Sequence, residues 1–208
     1  MDYFKKAVNS DNPLEYLRQL VCPYSHNKLI KHIKNCSDCV GASNKSLPYG
    51  NPDANIMIIN GNATESEEAD SFFDELLTES GIDKDDIYVI NSVNCVFKRS
   101  DGSERLPSEK ERNNCKCFVD YAIDFVKPRV IIAMGATIIN SYYPGFSLLK
   151  DDEKYGYIHN IKTIIVDSVS ELERMSQYLL EEDMDKKIQE VYNAFVYAKE
   201  YLEEIGDD

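Results

Sequence analysis

The sequence predicts an α/β protein with three layers, in which helices cover both faces of a mainly parallel four-stranded sheet. Four short apolar runs have the pattern of buried strands, and they occupy residues 55–61, 87–93, 129–135 and 162–168. Segments with helical spacing of apolar residues separate these runs, and such alternation is typical of parallel sheets that helices cover on both sides. At 208 residues, the chain is long enough to form one substantial core.

The predicted helices have recognisable starts and ends. Pro13 suits the first turn of a helix, and apolar spacing indicates two short helices before residue 36. The helix that follows the first strand is expected to end at Gly81, because glycine readily terminates helices. Residues 108–126 form the next predicted helix, which ends before Pro128.

The chain is predicted to be helical from Glu171 onward. One apolar face of this segment consists of Ile188, Val191, Phe195, Ala198, Leu202 and Ile205. Residues 170–208 also hold twelve Asp and Glu against four Lys and Arg, in a chain of net charge −14. We therefore predict a domain over residues 1–169 and an acidic C-terminal helical extension over residues 170–208, either packed on that domain or projecting from it.

Charge and hydropathy restrict the partners that this chain can have. A strongly acidic surface does not broadly attract nucleic acid, because phosphate binding draws on clustered Lys and Arg. Residues 28–34 and 98–116 are locally basic, so DNA stays a candidate partner. No apolar run reaches the roughly 18 residues of a membrane helix, and the N-terminus lacks the apolar core of a signal peptide. We expect a soluble, intracellular, cytoplasmic protein without a membrane partner.

Four cysteines have the spacing of one metal centre. Cys36 and Cys39 form a C-x-x-C pair, and Cys95 and Cys115 follow far along the chain. The pair places two thiolates within reach of one metal, and the two later cysteines complete a four-thiolate shell for zinc or for an iron–sulfur cluster. A reducing compartment favours metal-bound thiolates over disulfides. Spacing alone does not choose between the two metals.

Polar residues gather where the predicted strands end. Asn60 lies at the end of the first strand and Asn62 directly follows it, Asn91 lies in the second, and Asp167 and Ser168 lie at the end of the fourth. Because open parallel sheets bind ligands outside the carboxyl ends of their strands, these residues are candidates for one site.

The cysteines and Asn91 occur in an order that characterises a known family. Asn91 lies four residues before the third cysteine, and Arg105-Leu-Pro107 ends eight residues before Cys115. With the helix, strand and Gly-Ala-Thr turn at residues 135–137, this order resembles the iron–sulfur uracil-DNA glycosylases, which are family 4 of the uracil-DNA glycosylase superfamily. The resemblance covers roughly residues 30–140.

The resemblance implies a [4Fe–4S] cluster on Cys36, Cys39, Cys95 and Cys115, with zinc as the alternative. In the family this cluster is structural and lies near bound DNA. Cys22 and Cys117 fall outside the pattern and are expected to be ordinary thiols.

The resemblance also implies a pocket for a base that is flipped out of DNA. The family stacks the flipped uracil on an aromatic ring and recognises its polar edge. Amides present both a donor and an acceptor, so Asn91, Asn60 and Asn62 are the candidates for binding a base here.

The catalytic signature of the family is altered in this chain. In the family, a Glu in a Gly-Glu-Ala-Pro-Gly loop helps to position water, and a His in a later His-Pro-Ser loop stabilises the departing base. Gly61 stands at the position of that Glu, and Ser168 stands at the position of that His. The candidates for a replacement carboxylate are Glu65, Glu67 and Asp167.

The remaining aromatic and histidine residues suggest no catalytic group. The family's stretch with the stacking aromatic is missing, and Phe72 and Phe73 are expected in the core of the following helix. His26, His32 and His159 are expected at the surface, since a solvated imidazole needs no partner.

Three functions follow from these observations. In the first, the fold keeps its cluster, loses ordinary uracil excision, and serves as a binding or accessory subunit in DNA replication or repair. In the second, it is an active DNA glycosylase for uracil or another base with a rearranged pocket. In the third, its acidic tail makes it a DNA mimic or an inhibitor. A protein partner for the acidic C-terminal helix, around residues 184–205, is a further expectation.

Overall fold

A computed structural model describes residues 25–63, 67–143 and 154–206, with only the backbone at residues 67 and 68. The strands are β1 (Ala42–Lys45), β2 (Tyr49–Gly50), β3 (Ile56–Asn62), β4 (Ile87–Val93), β5 (Cys95–Phe97), β6 (Val130–Met134), β7 (Tyr155–Ile158) and β8 (Ile161–Val166). The helices are α1 (His26–Asn35), α2 (Glu67–Ser80), α3 (Glu109–Val126), α4 (Ala136–Tyr142), α5 (Val169–Met175) and α6 (Glu181–Ile205). The earlier of the two predicted N-terminal helices lies outside the described residues, and the later one is α1.

The four predicted strands form the centre of one sheet, and all four are parallel. The order of the six strands in this sheet is β2-β4-β3-β6-β8-β7. The two outer strands, β2 and β7, are antiparallel to their neighbours and were not predicted. Strands β3, β4, β6 and β8 consist almost entirely of buried residues, which is expected where helices cover both faces of a sheet.

Helices cover both faces of the sheet, and the predicted three-layer α/β/α architecture is confirmed. On one face, Ile58 of β3 packs in a core with Phe73 and Leu77 of α2 and with Phe195 of α6. On the other face, the next strand residue, Ile59, packs in a second core that contains side chains of α1, α3 and α4. Successive residues of β3 therefore belong to opposite cores, as the period of two in a strand requires.

A small second sheet lies beside the end of β4. Strands β1 and β5 pair in antiparallel fashion, with an irregularity between Ser43 and Lys45. Cys95 and Phe97 of β5 form a third apolar cluster with Val93 and with Cys115 of α3. This pairing joins the segment after Cys39 to the segment after β4.

The C-terminal segment is two helices rather than one. Helix α5 ends at Met175, and α6 begins at Glu181 after a short turn that exposes Tyr178 and Leu180. Three acidic residues occupy the first turn of α6, where negative charge is favoured by the helix dipole, and they mark this new start.

Helix α6 packs on the sheet instead of projecting from it. Its buried residues are Val191, Ala194, Phe195 and Ala198, and all four lie in the core that also holds the side chains of β6 and β8. The apolar face predicted for this segment is thus covered by the sheet. The domain boundary at residue 169 stays a prediction.

The start of α3 is anchored by one carboxylate. Glu111 accepts two hydrogen bonds of 2.8 Å from the guanidinium of Arg105 and one of 2.7 Å from the backbone N–H of Ser108. The hydroxyl of Ser108 accepts in turn from the N–H of Glu111, which completes a capping box. The bonds from Arg105 contribute most, and together with those from Ser108 they lower the pKa of Glu111 to about 2.

None of the helices in the described ranges has both the length and the apolar character needed to cross a membrane.

We predict that Phe195→Ala destabilises the whole protein, because Phe195 is fully buried between α6, α2 and the sheet. Removing a buried phenylalanine costs about 3–5 kcal/mol. Chemical denaturation followed by circular dichroism measures the free energy of unfolding. Tyr178→Ala is the control: its side chain is exposed, so the expected change is within about 0.5 kcal/mol. Equal stability of the Phe195 variant and the wild type would contradict the packing of Phe195 in this core.

We predict that Glu111 contributes stability only above the pKa that this group has in the folded protein. Its pKa falls from 4.5 to about 2 on folding, so the contribution is complete above 4.5 and is lost as the pH falls toward 2. The difference in free energy of unfolding between wild type and Glu111→Gln should therefore shrink over that interval. Glu109→Gln, at an exposed position of the same helical turn, is the control. A difference that stays constant down to pH 2 contradicts this assignment.

Candidate functional site

The carboxyl ends of the central strands open into a cleft of about 100 Å³. The polar and aromatic side chains among its lining residues are Ser46, Tyr49, Asn60, Asn62, Asp70, Phe73, Asn91, Ser168 and Ser170. All three asparagines predicted to bind a base are in this set. The cleft lies between the sheet, α2 and the start of α5, at the edge where parallel sheets bind ligands.

Asn60 and Asn91 stand side by side in the cleft. They are register partners on the adjacent parallel strands β3 and β4, so their side chains leave the same face of the sheet. The amide of Asn91 donates a hydrogen bond of 2.8 Å to the hydroxyl of Ser46. This bond orients the Asn91 amide in the cleft wall. The two partners are 45 positions apart in the chain, so the sequence alone does not reveal the bond.

Asn62 also lines the cleft, but its amide is bonded to the protein itself. Its Oδ1 accepts from the hydroxyl of Thr137 at 3.2 Å, and its Nδ2 donates to the carbonyl of Ala63 at 3.1 Å. Asn62 therefore ties the end of β3 to α4, and this arrangement favours a structural role for its side chain.

The position that corresponds to the family's Glu is tightly packed. A Cβ atom on Gly61 would lie 3.2 Å from the carbonyl oxygen of Met134 and 3.4 Å from the Cβ of Thr137. Any larger residue at position 61 requires β6 and α4 to move by a few tenths of an ångström. The end of β3 thus lies against α4 at position 61, which is the position of the carboxylate in the family.

Ser168 is the N-cap of α5 and is hydrogen-bonded to Glu171 in the first turn of that helix. Its backbone N–H donates to Oε2 of Glu171 at 3.0 Å, and the other oxygen of Glu171 accepts from the N–H of Ala136 at 2.9 Å. Gly135 has a φ of +94°, which favours glycine. Its lack of a side chain also makes room for Ser168, because a Cβ at position 135 would lie 2.9 Å from the Cβ of Ser168. Glu171 joins the starts of α4 and α5.

The three carboxylates predicted as replacements are placed differently. Asp167 is buried, and its Oδ2 lies 3.0 Å from the ammonium of Lys187 on α6. Asp167 is not among the residues that line the cleft. Glu67 begins α2 and its side chain is not described, whereas Glu65 lies outside the described residues.

A carboxylate that the sequence analysis missed lines the cleft. Asp70 lies in the first turns of α2, three residues before Phe73, so both face the same side of that helix. A carboxylate three residues before a core phenylalanine, in the helix that follows a strand end, is the pattern by which Asp70 could have been identified. Asp70 also influences Tyr49: burial, and then the charges of Asp70 and Asp74, raise the pKa of Tyr49 to about 12.

Two aromatic rings line the cleft. Phe73 is a core residue as predicted, packed edge-to-face against Phe195 with ring centroids 6.1 Å apart, and it also reaches the cleft. Tyr49 belongs to the short edge strand β2 and is half exposed. A two-residue strand gives no periodic signal, so the sequence did not identify Tyr49.

All four predicted metal ligands line one cavity. Cys36 follows α1, Cys39 lies in the next turn, Cys95 begins β5 and Cys115 lies in α3. Cys95 and Cys115 are buried, with exposed fractions of 7% and 3%. Burial raises the pKa of both thiols, that of Cys115 to about 12, so a bound cation would be needed to keep them as thiolates at neutral pH.

The cavity fits a sulfur-ligated metal group by its chemistry. Its four thiols are soft ligands, and the buried amide of Asn94 faces them without a hydrogen-bond partner. Within the described ranges, no three His, Cys, Asp or Glu side chains converge as ligands of a single metal ion. Cys117 lies on the same helix as Cys115 but is exposed, and Cys22 lies outside the described residues.

Two of the three histidines have partners that their positions in the sequence did not suggest. His159 lies in the turn between β7 and β8, with Nε2 3.0 Å from a carboxylate oxygen of Asp120 and Nδ1 3.9 Å from one of Asp124. Nδ1 of His26 lies 3.0 Å from the hydroxyl of Tyr88. These contacts attach the turn and α1 to the rest of the fold, and neither histidine lines the cleft.

Comparison with known proteins agrees with this architecture. The family model described as the uracil DNA glycosylase superfamily matches residues 47–195. The chain is also 29% identical over 127 residues to the type-4 uracil-DNA glycosylase of Thermotoga maritima, over 55% of this chain and 64% of that protein. The chain thus spans less than two thirds of the curated relative that it matches. It belongs to the uracil-DNA glycosylase superfamily, as a divergent relative of the iron–sulfur type-4 enzymes.

Proposed function

We propose that this protein binds DNA through the strand-end cleft, carries an iron–sulfur cluster and has lost ordinary uracil excision. It would then serve as an accessory subunit in DNA replication or repair. The observation that carries this proposal is the packing of the two positions where the family has its catalytic groups.

Both of these positions are used to close the rim of the sheet. Gly61 lies against Met134 and Thr137, which leaves no space for a carboxylate side chain without movement of the backbone. Ser168 caps α5 and is bonded to Glu171, so a short helix starts where the family has a His-Pro-Ser loop. This packing favours the loss of both groups over their replacement in place.

Base recognition is supported by the groups that remain in the cleft. Asn60 and Asn91 present neighbouring amides, and Tyr49 and Phe73 contribute aromatic rings. An extruded base is held by hydrogen bonds to its polar edge and by contact with flat apolar side chains. The cleft supplies both kinds of group.

DNA binding is supported by basic residues next to the cysteine cavity. Lys31 and Lys34 are exposed on α1, directly before Cys36, and Lys98 and Arg99 are exposed directly after β5. Their charges suit contacts with the phosphate backbone. The acidic residues of the chain are densest outside these basic stretches, at residues 65–86 and from residue 170 onward.

The second candidate function is an active glycosylase with a rearranged pocket. The observation that favours it is Asp70, a carboxylate that lines the same cleft as Asn91 and Tyr49. A carboxylate at that place can orient water or stabilise positive charge on the sugar. This candidate differs from the first in one measurable property, the release of a free base from DNA.

The acidic helix α6 gives less support to a DNA mimic. Two acidic residues of α6 form ion pairs with lysines of the same helix: Glu182 with Lys186 and Glu190 with Lys187. Lys187 also contacts Asp167, which lies outside this helix. Its apolar face is covered by the sheet. A protein partner of this helix would therefore meet its acidic, exposed side.

For the metal centre, we propose a [4Fe–4S] cluster held by Cys36, Cys39, Cys95 and Cys115. The cluster would tie the segment after α1 to β5 and α3. A single Zn²⁺ requires all four sulfurs within about 2.3 Å of one point, whereas a cluster distributes its ligands over several irons. The four thiols line one cavity, and the likeness to a type-4 uracil-DNA glycosylase favours the cluster over zinc.

We predict that the protein purified without air is brown and contains iron and acid-labile sulfide, because thiolate-ligated iron–sulfur centres absorb visible light. Cys115→Ser should lose most of this absorbance, since it removes a buried ligand. Cys117→Ser, at the exposed cysteine of the same helix, is the matched control and should keep it. A colourless wild-type protein with stoichiometric zinc would overturn the cluster.

We predict that the cluster-loaded protein binds single- or double-stranded DNA, releases no uracil from it, and loses affinity as salt rises. Asn91→Ala should weaken binding to DNA with an extruded or unpaired base roughly tenfold, the effect of losing about 1.4 kcal/mol of hydrogen bonding. Fluorescence anisotropy measures the affinity, and alkaline cleavage of labelled DNA measures excision.

Asn193→Ala is the control for binding, because Asn193 is exposed on α6, away from the cleft. Release of uracil or another base that is abolished by both Asn91→Ala and Asp70→Asn would establish the active-glycosylase alternative. Affinity that does not depend on salt would instead point to a protein partner.

A further inference from the structure

One buried amide in the cysteine cavity has no partner for either of its polar atoms. Asn94 joins β4 to β5, is 1% exposed, and lines the cavity together with the four cysteines. Neither Nδ2 nor Oδ1 has a hydrogen-bond partner among the described residues. Leaving a buried polar group unpaired costs roughly 1–3 kcal/mol, so such a group calls for a physical explanation.

The surroundings of Asn94 are mostly apolar groups and sulfur. Besides the four cysteines, the other residues that line the cavity are Ile33, Ala42, Phe118 and Asp38. Asp38 is exposed to solvent and makes no hydrogen bond with the Asn94 side chain. An apolar side chain would fill this space without an unpaired amide. The acceptors that could satisfy Nδ2 are therefore sulfur atoms, either of the cysteines or of a group bound between them.

The backbone at this position already interacts with sulfur. The N–H of Asn94 donates to the thiol of Cys115. The carbonyl of Asn94 accepts from the N–H of Ser46 at 2.9 Å, which holds the residue in place. Nδ2 of Asn114 lies 3.5 Å from Sγ of Cys39 and also donates to the carbonyl of Asp38 at 3.2 Å. Amide donors thus reach two of the four sulfur atoms.

We propose that Asn94 donates a hydrogen bond from Nδ2 to a sulfur atom of the bound cluster and thereby sets its reduction potential and its retention. The inference rests on the proposed cluster. A donor at sulfur withdraws negative charge, which favours the reduced cluster and raises the potential. Asn94 is a positioning and tuning residue, since it supplies no ligand to the metal.

The test compares two variants that differ in one donor. Thr and Val have nearly the same shape, but Thr has a hydroxyl donor and Val has none. Asn94→Thr therefore keeps a donor that Asn94→Val lacks. Each protein is loaded with iron and sulfide without air, and its reduction potential is measured by spectroelectrochemical titration. We expect a lower potential for Asn94→Val than for wild type, with Asn94→Thr between them.

A second measurement follows the loss of visible absorbance after addition of an iron chelator. Outer-shell partners of a metal site commonly change metal affinity by 10–100-fold, so Asn94→Val should lose iron at least about tenfold faster than wild type. Asn113→Val, at an exposed position of α3, should behave as wild type does.

The possible failures are distinguishable. Equal potentials and equal rates of iron loss in wild type, Asn94→Thr and Asn94→Val, at equal iron content, would overturn the role of Asn94 and leave the cluster intact. A wild-type protein without iron and sulfide would overturn the cluster and this inference together. If Asn94→Val does not fold, a wild-type potential in Asn94→Ala, a smaller side chain without a donor, would overturn it as well.

Discussion

The parallel alignment of β3 with β4 on one side and β6 on the other is the constraint on which the other features depend. Because the three strands run in the same direction and in register, their carboxyl ends meet at one edge. Strand β8 continues this parallel alignment beyond β6. Residues that are far apart in sequence, such as Asn60, Asn91 and Ser168, reach the same cleft for this reason. The next residues after β4 then lead directly into β5 and to Cys95. The cleft and the cysteine cavity are two outcomes of one strand alignment.

The rim of this edge shows how the loss of catalytic groups is linked to packing. In a catalytic rim, loops leave space for charged side chains that act on a substrate. Here a carboxylate at the rim, Glu171, joins the starts of α4 and α5. Gly61 and Gly135 permit the close contacts that result. The rim is therefore built for internal contacts, while polar groups remain along the wall formed by β3, β4 and α2.

Much of the fold could be predicted, because its central strands are buried on both faces and so appear as continuous apolar runs. The four cysteines and Asn91 were equally visible, since their spacing is a local property of the sequence. The edge strands β2 and β7 were missed because they are short and largely exposed. Asp70 and Tyr49 in the cleft, and Asp120 beside His159, depend on contacts between distant segments. No periodic pattern encodes such contacts.

The packing of α6 has a consequence for the order in which the protein is assembled during synthesis. Cys115 precedes β6, β8 and α6 along the chain, so all four cysteines leave the ribosome before half of the central sheet exists. The core on the face of α2 is completed only when Phe195 arrives, near the end of the described residues. A nascent chain can thus hold a complete set of thiols while one face of its sheet is still only partly covered. Delivery of a metal to the growing chain and closure of the core are separate events, and the first does not have to wait for the second.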